Sequence, residues 1–283
     1  YISAALKSAD SLEFLTVMEN IKFKRAVTKL TSADIIVDAN CDFTDAGTVT
    51  MTERVLTPDN FQVNVDLCKS TLLADWEAAK MASGAHNSGF SSDFSAFVMS
   101  HLADSIGERV ENNIWNGITT SSGHFTGFMH AGNGLFENDA EIIETDNSGG
   151  AGTAFSVTNI DENLALAVAG VPDSVYGKED LRIYMSTATY RLYLANQAAA
   201  GYQQLYNMND AFVPMYNGIK IAVCPGMVDN KLAVAQISNL FFGTDLISDT
   251  TQINFLDMAT LDGSDNVRVV AKYSAGVQHG LGT

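Results

Sequence analysis

The strongest constraint on this chain is a ladder of apolar residues set four positions apart: Phe90, Phe94, Val98, Leu102, Ile106, Val110 and Ile114. Ser91 or Ser92 can cap a helix start, with Asp93 at the positive end of its dipole. Asn116-Gly117 offers the left-handed exit at which helices commonly stop. The spacing predicts one helix over about 92–115, roughly 36 Å long at 1.5 Å per residue. A four-residue step turns about 400°, so the stripe drifts about 40° per step and about 240° over six steps. One flat partner surface cannot cover such a stripe. Phe94, Val98 and Leu102 are therefore expected to meet a different neighbour from Val110 and Ile114.

Only 17% of the 283 residues are charged, so the surface is either rich in Ser, Thr, Asn and Gly or largely covered by partner chains. A net charge of −17 argues against a free-standing nucleic-acid binder, which needs clustered Lys and Arg. Residues 1–30 run the other way, with Lys7, Lys22, Lys24, Arg25 and Lys29 against Asp10, Glu13 and Glu19. An arm docking on a neighbour's acidic surface and a solvated helix both fit that asymmetry. Cys41, Cys68 and Cys224 form no CxxC pair, which points to a reducing compartment without a disulfide framework. No apolar run approaches the roughly 18 residues of a membrane helix, and no membrane partner is expected.

Residues 1–30 read as a partly helical arm with an apolar face at Leu12, Leu15, Met18 and Ile21. Val49 and Met51 then alternate with threonines up to Leu56, and Phe61, Val63, Val65 and Leu67 alternate with Gln62, Asn64 and Asp66. With turn chemistry at Thr57-Pro58-Asp59-Asn60, these runs predict a β-hairpin whose apolar face needs cover. Leu72–Met81 reads as a short amphipathic helix, and strands are expected near Phe125–Met129 and Glu141–Thr145. From Thr158 the pattern is α/β: a helix over Ile160–Ala169, a strand over Leu181–Met185 and a helix from about Thr187 to Ala200. Strands follow at Ile219–Cys224, Lys231–Gln236, Gln252–Met258 and Val267–Tyr273.

Catalytic signatures are missing from this order. His86, His101, His124, His130 and His279 make no zinc spacing and no HExxH. The loop Gly170–Lys178 fails as a phosphate cradle, because six residues separate its glycines and Glu179 stands where Ser or Thr would hold magnesium. Asp249, Asp257, Asp262 and Asp265 read as turn and strand-face residues, and Tyr184, Tyr190, Tyr193, Tyr202 and Tyr206 as core or contact positions. No catalytic residue, cofactor or metal is assigned.

As an ordered set, the elements resemble the major capsid proteins of tailed bacteriophages, the Hong Kong 97 fold, over essentially the whole chain. Phe94–Gly117 resembles that family's spine helix, and Gly127 in FTGFM the glycine after which its chain passes towards a second domain. Leu181–Leu194 resembles the strand–helix unit of its apical domain, and Gly218–Pro225 and Phe242–Leu246 its later strands. The resemblance implies an α+β chain with an N-terminal arm over 1–39 and an extended loop over 40–71. A peripheral domain over 72–157 and 242–283 and an axial domain over 158–241 would complete it.

It further implies a non-enzymatic subunit that assembles with itself into hexamers and pentamers of an icosahedral shell, built in the bacterial host cytoplasm. That shell would enclose double-stranded DNA without specific binding, with portal, scaffolding or decoration proteins as partners. The assembly residues would be Phe94, Val98, Leu102, Ile106, Val110, Ile114, Trp115, Gly117, Gly127 and Pro58. The expected extended loop has no lysine before Lys69, so no covalent cross-link is assigned. Three alternatives are an encapsulin-like nanocompartment shell, a soluble carboxylate-dependent α/β enzyme, and a monomeric small-molecule or glycan-binding module with an aromatic cleft.

Overall fold

The computed structural model describes residues 10–33, 35–39, 41, 47–68, 92–150, 152–201, 214–245, 254–261, 263–264 and 266–280. The expected helix Leu72–Met81 lies outside them, as do His86, Tyr202, Tyr206, Asp249, Asp262 and Asp265 and the side chain of Phe94.

Helix α1 runs from Ser92 to Asn116, close to the expected limits. The α/β segment also follows its local signals, with α2 (Ile160–Ala169), β5 (Leu181–Met185) and α3 (Thr187–Ala199). Ser186 decides where α3 begins: its Oγ accepts from the Thr189 amide at 3.2 Å, satisfying one of the free N–H groups of the first turn. Strands β6 (Met215–Tyr216), β7 (Ile219–Val223) and β8 (Leu232–Gln236) join β5 in a sheet ordered β6-β7-β5-β8. Alternation splits this sheet's side chains between two cores. Leu181, Ile183, Met185, Ile219 and Ile221 pack under α2 and α3, while Tyr184, Ala222 and Cys224 face the end of α1.

The second sheet is organised by β11 (Asn266–His279). It pairs antiparallel with β4 (Asp59–Cys68) over ten positions, with β10 (Asn254–Asp257), and further along with β9 (Leu240–Gly243). The short β1 (Thr16–Met18) adds parallel to β9. Val267, Val269, Ala271 and Tyr273 are buried as expected, and Val267, Val269, Ala271 and Tyr273 stand opposite Leu67, Val65, Val63 and Phe61.

That register corrects the expected hairpin. Strands β3 (Thr48–Leu56) and β4 both exist, but they do not pair with each other. Strand β3 pairs with β2 (Arg25–Ala33) in a separate two-stranded ribbon, and β4 belongs to β11. Alternation determines which face of a strand is apolar and leaves its partner open. Here β11 matches the whole apolar row of β4, and the rings of Phe61 and Tyr273 lie 5.3 Å apart. Pro58 is half-buried at a corner between two sheets: a Cβ on Gly276 would lie 3.0 Å from its Cα.

The arm also departs from the helical expectation. Among its described residues there is one 3₁₀ turn, Asp10–Phe14, before β1 and then β2. Asn20 sits at φ 65°, a left-handed position that no continuous helix tolerates, and the edge of β9 claims the β1 backbone.

The strands expected at 125–129 and 141–145 do not form. Residues 127–129 instead serve the end of α1: the amides of Gly127, Phe128 and Met129 donate to the carbonyls of Gly117, Ile114 and Trp115 at 2.9, 2.9 and 2.7 Å. The last carbonyls of a helix have no partner within it, so this segment satisfies them in place of a strand ladder.

Candidate functional site

Burial along α1 rises steeply from one end to the other. Val98 and Leu102 are half-buried and Phe97 is 50% exposed, whereas Ala103, Ile106, Val110, Ile114 and Trp115 are all buried in the central core. The ring of Trp115 lies 5.4 Å from Tyr184 and 5.7 Å from Phe128, so this end of the helix joins both sheets. Gly117 does not adopt the expected left-handed exit, since its φ is not positive. Its smallness is what counts: a Cβ would stand 2.1 Å from the Phe125 carbonyl oxygen. Gly127 is equally confined, with a Cβ placed 2.5 Å from the Asn113 carbonyl oxygen.

One turn before Trp115, Glu111 is a buried carboxyl that the apolar ladder does not reveal. One oxygen accepts from the Ser11 amide at 3.0 Å. The other accepts from Ser11 Oγ and from the Gly226 amide at 3.1 Å. Trp115 Nε1 donates to Ser11 Oγ at 2.7 Å, and Tyr184 Oη donates to the Phe14 carbonyl at 2.8 Å. Glu111 thus ties the arm, the long helix and the turn after β7 together. Gly226 allows this approach, because a Cβ there would meet the Glu111 carbonyl oxygen at 2.3 Å. The nearby Cys224 thiol is pushed up to about 12 by burial, so it is inert at neutral pH.

The ribbon β2–β3 has two unlike faces. Residues opposite each other in an antiparallel pair share a face, and the register puts Val55, Leu30, Met51 and Val49 on one side. They are 45%, 69%, 63% and 63% exposed, and Ile36 in the connecting segment is 90% exposed. On the other side Val27, Lys29 and Arg54 are half-buried against the body.

Arg54 anchors that side. Its guanidinium bridges Asp139 and donates to Glu141 at 3.0 Å, while Lys29 Nζ lies 3.6 Å from the same Glu141 oxygen. His279 Nε2 is 2.6 Å from Asp139 and also touches Arg54. Burial works against the Asp139 charge, but hydrogen bonds from Arg54 and His279 prevail and hold its carboxyl well below the usual range. Burial pulls His279 below the ordinary imidazole value, and Arg54 adds to this against the opposing pull of Asp139. Neither Glu111 nor this cluster carries a local sequence signature; each joins segments that lie more than 80 positions apart.

Among the described residues, the chemistry-bearing side chains singled out in the sequence do not converge on one another. Arg109 Nη1 meets His124 Nε2 at 3.0 Å, Asp257 caps a 3₁₀ turn through the Ala259 amide, and Tyr184 and Tyr193 are core residues. Among the described residues, no group of three His, Cys, Asp or Glu could hold a metal ion, and no helix is long and apolar enough to cross a membrane.

No family model and no curated protein matches the sequence. Solved structures do match in shape. A chain of Gordonia phage Cozz superposes with TM-score 0.60 at 11% identity, covering 95% of this chain and 82% of the other. A chain of the satellite phage P4 procapsid, solved with its size determination protein, gives TM-score 0.57 at 11% identity and covers 99% and 94%. The capsid of the native GTA particle gives TM-score 0.56 at 10% identity, with 97% and 93% covered. The chain has the capsid fold of the Hong Kong 97 type. In this chain α1 is a 25-residue helix, β2–β3 a separate two-stranded ribbon, and β5–β8 with α2 and α3 an α/β unit.

Proposed function

We propose that this chain is a major capsid protein, a subunit that assembles with its own copies into hexamers and pentamers of a closed icosahedral shell around double-stranded DNA. One observation carries the proposal most directly: a nine-residue two-stranded ribbon turns an apolar face outward. An isolated two-stranded ribbon is marginal in water, and exposed apolar patches mark interaction sites. A neighbouring copy would supply the cover. The start of α1, where Val98 and Leu102 are half-buried, is a second surface for such contact, and the fold is one that shell chains share.

The domain boundaries move with the β2–β3 pairing. The arm ends near residue 24, the extended loop covers 25–56 instead of 40–71, and β4 joins the peripheral domain. Residues 158–241 remain the axial domain. This shift brings Lys29 into the loop, where it faces the body and pairs with Glu141. The role is structural, the place is the virion, and portal, scaffolding or decoration proteins would be further partners.

Light scattering and electron microscopy of the purified protein test this reading. Megadalton shells or ring-shaped capsomers are expected; a stable monomer of 30.3 kDa at high concentration overturns it. Nucleic acid in particles purified from infected cells separates a genome shell from a cargo-holding nanocompartment.

A further inference from the structure

Among the described residues the ribbon meets the body through an apolar seat and an ionic cluster, and Gln278 Nε2 also donates to the Val55 carbonyl at 3.2 Å. Leu56 is fully buried at its base, against Gly243 and beside Ile21. Two residues further out, Arg54 enters the ionic cluster with Asp139, Glu141, Lys29 and His279. Beyond these the ribbon's outward side is open, so the apolar seat can act as a pivot and the cluster as a stay.

We propose that the Arg54–Asp139–His279 cluster is an acid-released latch that sets the angle at which the ribbon leaves the body. The imidazole of His279 is 2% exposed. The groups around it already balance: Arg54 from β3 and Lys29 from β2 are matched by Asp139 and Glu141 from the loop before α2, and the Phe136 ring packs edge-on at 5.4 Å. A proton on His279 adds a positive charge beside Arg54 with no anion left to match it. Nε2 is shared between Asp139 and Arg54, and a protonated imidazole carries a hydrogen on both nitrogens, so the cation has an N–H at Nδ1. That atom is buried and has no hydrogen-bond partner among the described residues. A buried, charged donor without an acceptor is strongly unfavourable. Moving the ribbon away relieves it by letting water reach the ring. Asp139 is held well below the usual carboxylate range and His279 only below the ordinary imidazole value, so as the pH falls the imidazole takes up its proton before Asp139 does.

The test reads an intrachain distance and is independent of shell formation. The double variant Cys41→Ser/Thr50→Cys carries nitroxide labels on the ribbon and on Cys68, which is exposed on β4, while Cys224 is buried and unlabelled. Labelled chains are diluted into unlabelled cysteine-free chains, so neighbours contribute no signal, and pulsed electron–electron resonance is recorded from pH 7.5 to 5. One narrow distance is expected at pH 7.5, with a second population growing in below pH 6.5 and a one-proton slope. On this background His279→Gln keeps the first distance at every pH, and Asp139→Asn shows the second at pH 7.5. An unchanged distance in the parent, or an acid response in His279→Gln equal to the parent's, overturns the latch. Should Asp139→Asn fail to give a native near-ultraviolet spectrum, the His279→Gln comparison alone decides.

Discussion

Replacing Glu111 by glutamine should cost far more than a surface exchange of the same kind. The carboxylate accepts three hydrogen bonds, two from Ser11 and one from the Gly226 amide, in a site where Ser11 is fully buried. An amide offers only one oxygen. In its better orientation it keeps Ser11 Oγ and the Gly226 amide, and turns its NH₂ towards the Ser11 N–H. Two buried donors then lack acceptors, at about 1–3 kcal/mol each. The expected loss is about 3 kcal/mol, measured by urea unfolding. Ser11→Ala removes a donor to Glu111 and the acceptor of the Trp115 indole, for about 2 kcal/mol. Because both changes strike one network, the double variant should fall short of the sum by at least about 0.5 kcal/mol. A Glu111→Gln protein within about 0.5 kcal/mol of the parent, or strictly additive effects, would refute the reading of Glu111 as the tie between arm, helix and turn.

Other consequences are equally direct. Gly127→Ala forces a methyl to within 2.5 Å of backbone, and should cost several kcal/mol or abolish soluble expression; wild-type stability would show that the segment shifts freely. Met51→Asp should leave unfolding free energy within about 0.5 kcal/mol, since the side chain is 63% exposed, while preventing assembly as seen by light scattering. Under native conditions a thiol reagent should titrate Cys41 and Cys68 promptly and Cys224 only after unfolding. His279 and Asp139 both hold folded values below their ordinary 6.5 and 3.8, so the unfolded chain takes up protons first as pH falls. Their contribution to stability is complete above about pH 6.5, declines first with His279 and then, below about 3.8, with Asp139. Unfolding free energy should fall from pH 7.5 to 5, and His279→Gln should remove part of that slope.

Features with a period shorter than their element were legible in the chain itself. The four-residue ladder located α1; its C-terminal half is buried in the chain, while Val98 and Leu102 are only half-buried. Two-residue alternation found β4 and the first part of β11. These are local facts, set by rise and twist within one segment. Partnership is not local. Whether β3 pairs backwards with β2 or forwards with β4 depends on ten facing residues of β11, which lie about 200 positions away. The apolar run Phe125–Met129 looked like a strand because its residues suit one, but the open carbonyls of α1 took its amides. Gly117 was foreseen for its backbone freedom and serves through its lack of a side chain. Glu111 and His279 acquire their roles only from burial beside residues remote in sequence, since a carboxyl or an imidazole has no special chemistry until the fold withdraws water and decides which charges remain beside it.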